Sequence, residues 1–175
     1  EVDHAGLFND GFSSTTGSPD GVAIFSASHV MEGGGTTGRS NLMATAADLS
    51  VAALRVALND IADTRDGAGK LVHWRPKYLL VPYEGRWLAD ELINSTTRAD
   101  TADRAKNAFD QDGLMVISTP YLTDSNAFFL LAESSKHNLR SYWRERPNVL
   151  HDWDFESSAM KIKIRGRWKR GWSDW

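Results

Sequence analysis

Two short apolar runs, each broken by proline, constrain this chain most. The first is Arg75-Pro76-Lys77-Tyr78-Leu79-Leu80-Val81-Pro82. The second is Leu114-Met115-Val116-Ile117-Ser118-Thr119-Pro120-Tyr121-Leu122-Thr123-Asp124, followed by Ala127-Phe128-Phe129-Leu130-Leu131-Ala132. Each is rich in β-branched or aromatic residues and bounded by turn residues. That combination predicts buried strands. A chain with two such runs needs a sheet with something packed over it.

The 175 residues suit one domain, or one domain with a lobe, and can bury a core without metal or disulfide staples. There is no cysteine, so thiolate chemistry is excluded. No apolar stretch approaches the roughly 18 residues needed to cross a bilayer, so no membrane contact is expected. The N-terminus shows neither a basic region nor an apolar core, and it lacks an initiator methionine. The chain therefore reads as processed, trimmed or a fragment.

Glu1 to Gly21 is rich in Gly, Ser, Thr, Asp and Asn and predicts a flexible arm or loop. Val22 to Phe25 could form a short strand. Met31 to Ser40, with Gly33, Gly34, Gly35 and Gly38, predicts a mobile loop. A helix follows, because Leu49, Ala53, Val56, Ala57 and Ile61 share one stripe widened by Leu54 and Leu58. Ser50 or Asp48 can cap it, and Arg55, Asn59, Asp60 and Asp63 form its polar face. Pro82 suits the first turn of a second, amphipathic helix carrying Trp87, Leu88, Glu91 and Leu92. Asn94 to Asp112 reads as a polar surface excursion with a weak helix from Thr97 to Phe109. At the end of the chain Met160, Ile162, Ile164, Gly166 and Trp168 alternate with Lys161, Lys163, Arg165, Arg167 and Lys169. Period two with one basic face predicts a half-exposed strand.

Catalytic and metal-binding patterns are sparse. His4, His29, His73, His137 and His151 show no metal-ligand spacing and read as ordinary surface or core residues. Asp152, Asp154 and Glu156 could do acid–base work only if burial drove their pKa values apart; a solvated or salt-bridged strand face is the plainer reading. Gly33 to Ser40 fits the spacing G-x-x-x-x-G-K-S/T with Arg39 in the lysine position. Arginine does not replace that compact ammonium, and Ser26 to Glu32 separate the glycines from the candidate strand. A flexible loop competes with nucleotide binding there. No catalytic residue, cofactor or metal is assigned.

Charge is unevenly spread. From Lys136 to Trp175 there are ten Lys or Arg and five Asp or Glu, against a net charge of −3 for the whole chain, so the preceding residues carry −8. The same tail holds Trp143, Trp153, Trp168, Trp172 and Trp175. A basic, tryptophan-rich tail on an acidic body predicts contact with another surface, or else an edge strand with a solvated face. It could also neutralise phosphates and stack bases, which keeps a nucleic-acid-binding module open.

The order of elements resembles the Mu-like prophage major head subunit and related tailed-bacteriophage major capsid proteins. The residues that carry this are Ala23 to His29, Ser40-Asn41-Leu42, Leu49 to Leu54, Arg75 to Pro82, Leu114 to Ala132 and the closing Arg170-Gly171-Trp172-Ser173-Asp174-Trp175. The resemblance implies an α+β capsid fold of the Hong Kong type. A long spine helix, Leu49 to Asp63, would pack on an antiparallel sheet, with an axial lobe of mixed helices and strands. Residues 1–21 would be the arm, 22–76 and 133–175 the peripheral-type domain, and 77–132 the axial-type lobe. Met160 to Trp168 would return to the peripheral sheet. Family members are longer and carry an N-terminal arm and an extended loop upstream, so this chain is expected to be a C-terminal portion or else a shortened relative.

The implied protein is not an enzyme. It would assemble with copies of itself into pentamers and hexamers of an icosahedral shell enclosing phage DNA, in the virion and, during assembly, in the bacterial host cytoplasm. Trp143, Trp168, Arg170, Trp172 and Trp175 are the candidate subunit-interface residues. Trp172→Ala is expected to lower assembly or stability more than His29→Ala.

Overall fold

The computed structural model describes residues 2–13, 20–29, 39–66, 69–97, 106–109 and 113–172, with side chains from Ala5 onward. The chain is a mixed helix–strand fold. Its elements are α1 (Val2–Asn9), α2 (Val51–Ala62), β1 (Pro76–Pro82), α3 (Arg86–Asn94), β2 (Met115–Thr119), β3 (Phe129–Ala132), β4 (Leu139–Trp153) and β5 (Met160–Trp172).

The two proline-broken runs do form the central sheet, in the order β2-β1-β3. β1 pairs antiparallel with β3 and parallel with β2, so the sheet is mixed. The cause is the connection. α3 lies between β1 and β2, and a helical crossover returns the chain in the same direction. β1 is apolar at consecutive positions because both of its faces are covered. Leu79 and Val81 pack with Ala89 and Ile93 of α3 and with Leu114, and Leu49 and Leu58 join from α2 and its N-terminal flank. Leu80 points the other way, into Phe8 and Phe129.

α2 closely matches expectation. Ser50 caps it, its side chain accepting from the Ala53 N–H at 3.2 Å. Ala53, Leu54 and Ala57 are buried, and Arg55, Asn59, Asp60 and Asp63 are exposed. Val56 is exposed as well, so the buried stripe is narrower than the sequence implies. α3 buries Ala89 and Ile93 and leaves Trp87 and Leu88 in solvent. Pro82 ends β1 instead of opening α3, because the Tyr83–Gly85 turn intervenes. A proline at a strand end forgoes little, since the ladder stops there anyway.

The N-terminal stretch corrects the expectation of a loop. Residues 2–9 are helical, although 14–19 lie outside the described residues. An isolated helix this short is marginal in water, so packing must hold it. Phe8 is buried on Phe129 with ring centroids 5.0 Å apart. Asn9 donates from Nδ2 to the Tyr121 carbonyl at 2.8 Å and accepts from the Thr123 N–H at 3.0 Å. Just beyond, Gly11 is required by space, since a Cβ there would lie 2.6 Å from Ile24 and the Phe25 ring. The predicted strand at Val22–Phe25 is absent; the segment is bent, with Ile24 buried. Most of the expected weak helix from Thr97 to Phe109 lies outside the described residues. Its ends are joined by a bridge between Thr97 and Lys106, and buried Asn107 donates to the Leu92 carbonyl at 2.7 Å. The polar excursion is thus tied back to α3.

Candidate subunit interface

β4 and β5 form a long antiparallel hairpin in a two-stranded sheet of its own. Met160 to Trp168 therefore does not join the sheet beneath α2, contrary to expectation. The physical reason is proximity. β5 follows β4 after only a short turn, so loop closure costs little entropy and the nearest partner wins. The turn is closed by Asp154, whose backbone N–H donates to the Ala159 carbonyl at 3.0 Å. Its carboxylate accepts from Lys161 Nζ and Ser157 Oγ, both at 2.9 Å, and from the Glu156 N–H at 3.3 Å. These donors, Lys161 first, hold the Asp154 carboxyl below the usual aspartate range. Of the three carboxylates read as a solvated or salt-bridged strand face, Asp154 is salt-bridged to Lys161 but lies in the turn, Asp152 lies in β4 opposite Lys161, and Glu156 contributes its backbone N–H.

The register sorts the ribbon into two faces. Trp153 opposes Met160, His151 opposes Ile162, Val149 opposes Ile164, and Trp143 opposes Trp168. Residues directly opposite one another project to the same side, so these eight line one largely apolar face. The other face carries Lys161, Lys163, Arg165 and Lys169, opposite Asp152, Leu150, Asn148 and Tyr142. The ladder is irregular between Trp143 and Asn148, where Pro147 sits beside Gly166. Extra residues on one strand bend and twist a ribbon.

Neither face is covered. Trp153 is 70% exposed and Ile164 71%, while Met160, Ile162, Val149, Trp143 and Trp168 are each about half exposed. Trp143 and Trp168 rest against each other with centroids 5.5 Å apart. Among the described residues the hairpin is anchored at its base. Trp172, opposite Leu139, is 7% exposed, and its indole Nε1 has no hydrogen-bond partner among the described residues. Arg170 reaches Asp10, just past α1, at 3.2 Å, and its guanidinium lies so close to Gly6 that a Cβ there would be 2.5 Å away. A cleft of about 390 Å³ opens there, between Leu7, Asp10 and Gly11 and the ends of β5.

The expected interface residues thus divide. Trp143 and Trp168 stand in the open face. Trp172 and Arg170 lie at the base of the hairpin, against the body. Trp175 lies outside the described residues. The same open face also carries Val149, Met160, Ile162 and Ile164, which were not among the candidate residues although the period-two alternation of β5 pointed to this face, and Trp153 of the tryptophan-rich tail.

Of the glycine loop, 33–38 lie outside the described residues. Arg39 donates to the Asp66 carbonyl at 3.1 Å, which ties it to the turn after α2. His29 is fully buried and hydrogen-bonded, so it is no neutral control for Trp172. No group of three His, Asp or Glu side chains among the described residues could hold a metal. Among the same residues no helix is long and apolar enough to cross a membrane.

The hairpin thus forms a sheet separate from β2-β1-β3 and leaves large apolar side chains exposed. The chain belongs to the phage capsid protein family, whose model matches residues 3–175. It is a bacteriophage structural protein, and its family places it in the virion capsid and points to assembly with copies of itself in place of catalysis. No curated protein and no solved structure gives a match.

Proposed function

We propose that this chain is a major head subunit of the Mu-like kind with a Hong Kong-type fold, which assembles with its copies into an icosahedral shell around phage DNA. The observation that carries the reading is the open apolar face of the β4–β5 hairpin. Exposed apolar patches on soluble proteins mark contact sites, and this one is edged by aromatic residues of the type that concentrates binding energy. In this reading residues 77–132 are the axial-type lobe. Support comes from the compact unit of β1, α3, β2 and β3 that they build. Residues 22–76 and 133–175 form the peripheral part, pentamers and hexamers are the assembled units, and assembly occurs in the host cytoplasm.

The test places charge on the open face. Trp153→Asp combined with Ile164→Asp should abolish assembled particles in sedimentation velocity while leaving the far-ultraviolet circular dichroism unchanged. Particles formed as readily as by the wild type would overturn the reading.

The basic face supports a second role, contact with the packaged DNA. Binding through Lys163, Arg167 and Lys169 should weaken steeply and linearly in log–log form as salt rises. A flat salt dependence would remove this role.

A further inference from the structure

Residues 20–29 are held by a buried histidine that faces oxygen from both ring nitrogens. His29 Nδ1 lies 2.7 Å from Asp20 Oδ2, and Nε2 lies 3.0 Å from the Ile24 carbonyl oxygen. The side chain of His29 is fully buried, and that of Asp20 is one-tenth exposed. A backbone carbonyl can only accept, and so can an ionised carboxylate. A neutral imidazole carries one N–H and can serve only one of them. The other contact would then set lone pair against lone pair at hydrogen-bonding distance, inside the protein, where water cannot relieve it.

Both contacts are made only when the site holds one further proton. That proton sits on the ring, giving an imidazolium between carboxylate and carbonyl, or on Asp20, whose O–H then donates to Nδ1. The two forms contain the same atoms and differ in where the proton rests along one hydrogen bond. We propose that Asp20, His29 and the Ile24 carbonyl form a proton-binding site, and that its occupancy locks residues 20–29 in place.

The surroundings are built around this arrangement. Asp20 Oδ1 accepts from the Val22 N–H at 3.1 Å. The Ile24 carbonyl also accepts from Asn41 Nδ2 at 2.6 Å, so it is already committed as an acceptor. Backbone bonds in both directions join His29 to Arg39, at 2.8 and 2.9 Å. Asp20 is an ionisable group in direct contact with the ring, and the Arg39 guanidinium donates to the Asp66 carbonyl. The lock reaches further through its neighbours. Phe25 packs on Phe8, Phe12 and Phe129, with the centroids of Phe12 and Phe129 each 5.0 Å away. Phe8 belongs to α1, and Asp10 just beyond it holds Arg170 at the base of the hairpin. Loss of the proton should therefore loosen the layer on which the hairpin is seated. The inference does not depend on shell assembly.

The test uses the 175-residue chain labelled with ¹⁵N and ¹³C. Long-range ¹H–¹⁵N spectra of the His29 ring and the ¹³C shift of the Asp20 carboxyl report the proton. Amide protection factors over 20–29, which remove the intrinsic pH dependence of exchange, report the lock. As pH is raised the extra proton and the protection should disappear together, with protection falling at least tenfold. In Asp20→Asn the amide N–H can donate to Nδ1 of a neutral ring, so protection should become independent of pH. A wild-type segment that stays protected with a singly protonated ring and an ionised Asp20 overturns the proposal, and this arm stands even if the variant does not fold. An Asp20→Asn chain that keeps the wild-type pH dependence overturns it too.

Discussion

Trp172→Ala tests whether the hairpin is held to the body through its base. A tryptophan side chain buries roughly 150–250 Å². At about 25 cal/mol per Å² that is worth roughly 4–6 kcal/mol, an upper bound because the unfolded chain already shelters some of this surface. Truncations of buried aromatics cost about 3–5 kcal/mol, and Trp172 at 7% exposure belongs in that range. Trp172→Phe separates packing from polarity. Phenylalanine restores much of the volume and removes an indole N–H that is buried without a partner, a defect costing about 1–3 kcal/mol. Its stability should stay within about 1 kcal/mol of the wild type. Trp153, 70% exposed, is the control, and Trp153→Ala should change stability by no more than about 0.5 kcal/mol. Urea unfolding followed by circular dichroism reads all three. With a slope of about 1–3 kcal/mol per molar, the alanine variant should move the midpoint down by more than about 1 M. A shift for Trp172→Ala no larger than for Trp153→Ala would refute the reasoning, and so would a phenylalanine variant as damaged as the alanine one.

Ser50→Ala removes the cap of α2 and should cost about 1 kcal/mol in the same unfolding assay, with Ser50→Asp close to wild type. Ser158, at φ +52° in the hairpin turn, sits where side chains are strained, so Ser158→Gly should raise the urea midpoint slightly. Acid should loosen the turn. The folded Asp154 carboxyl is held below the ordinary aspartate range, so its contribution is complete above that range and is lost as pH falls through the lowered value. Amide protection in 154–160 should accordingly drop below about pH 4, and in Asp154→Asn this acid-induced step should vanish. The exposed Lys77–Glu133 pair, 2.9 Å apart, should be screened by salt, with Lys77→Ala changing the midpoint less at 1 M than at 0.05 M sodium chloride.

Local chemistry made several elements legible without coordinates. Periodicity and a capping serine located α2 to within two residues, because a stripe of Leu and Ala and an N-terminal hydroxyl act over a few residues of chain. The consecutive apolar residues of β1 announced a strand covered on both faces. Alternating apolar and basic residues announced β5, whereas the turn that closes it reads as strand, because Asp152, Asp154 and Glu156 share the same period of two. Tertiary packing decided the rest. α1 is helical because Phe8 finds Phe129 and Asn9 finds the chain at Tyr121 and Thr123, more than a hundred positions away. The parallel pairing of β1 with β2 depends on the path of α3 and not on the strands' own residues. The choice of β4 as the partner of β5 left the face of Trp153 and Ile164 open and buried Trp172 instead of exposing it. No window of sequence distinguishes those two kinds of tryptophan, because burial is a property of what arrives opposite a side chain from elsewhere in the molecule.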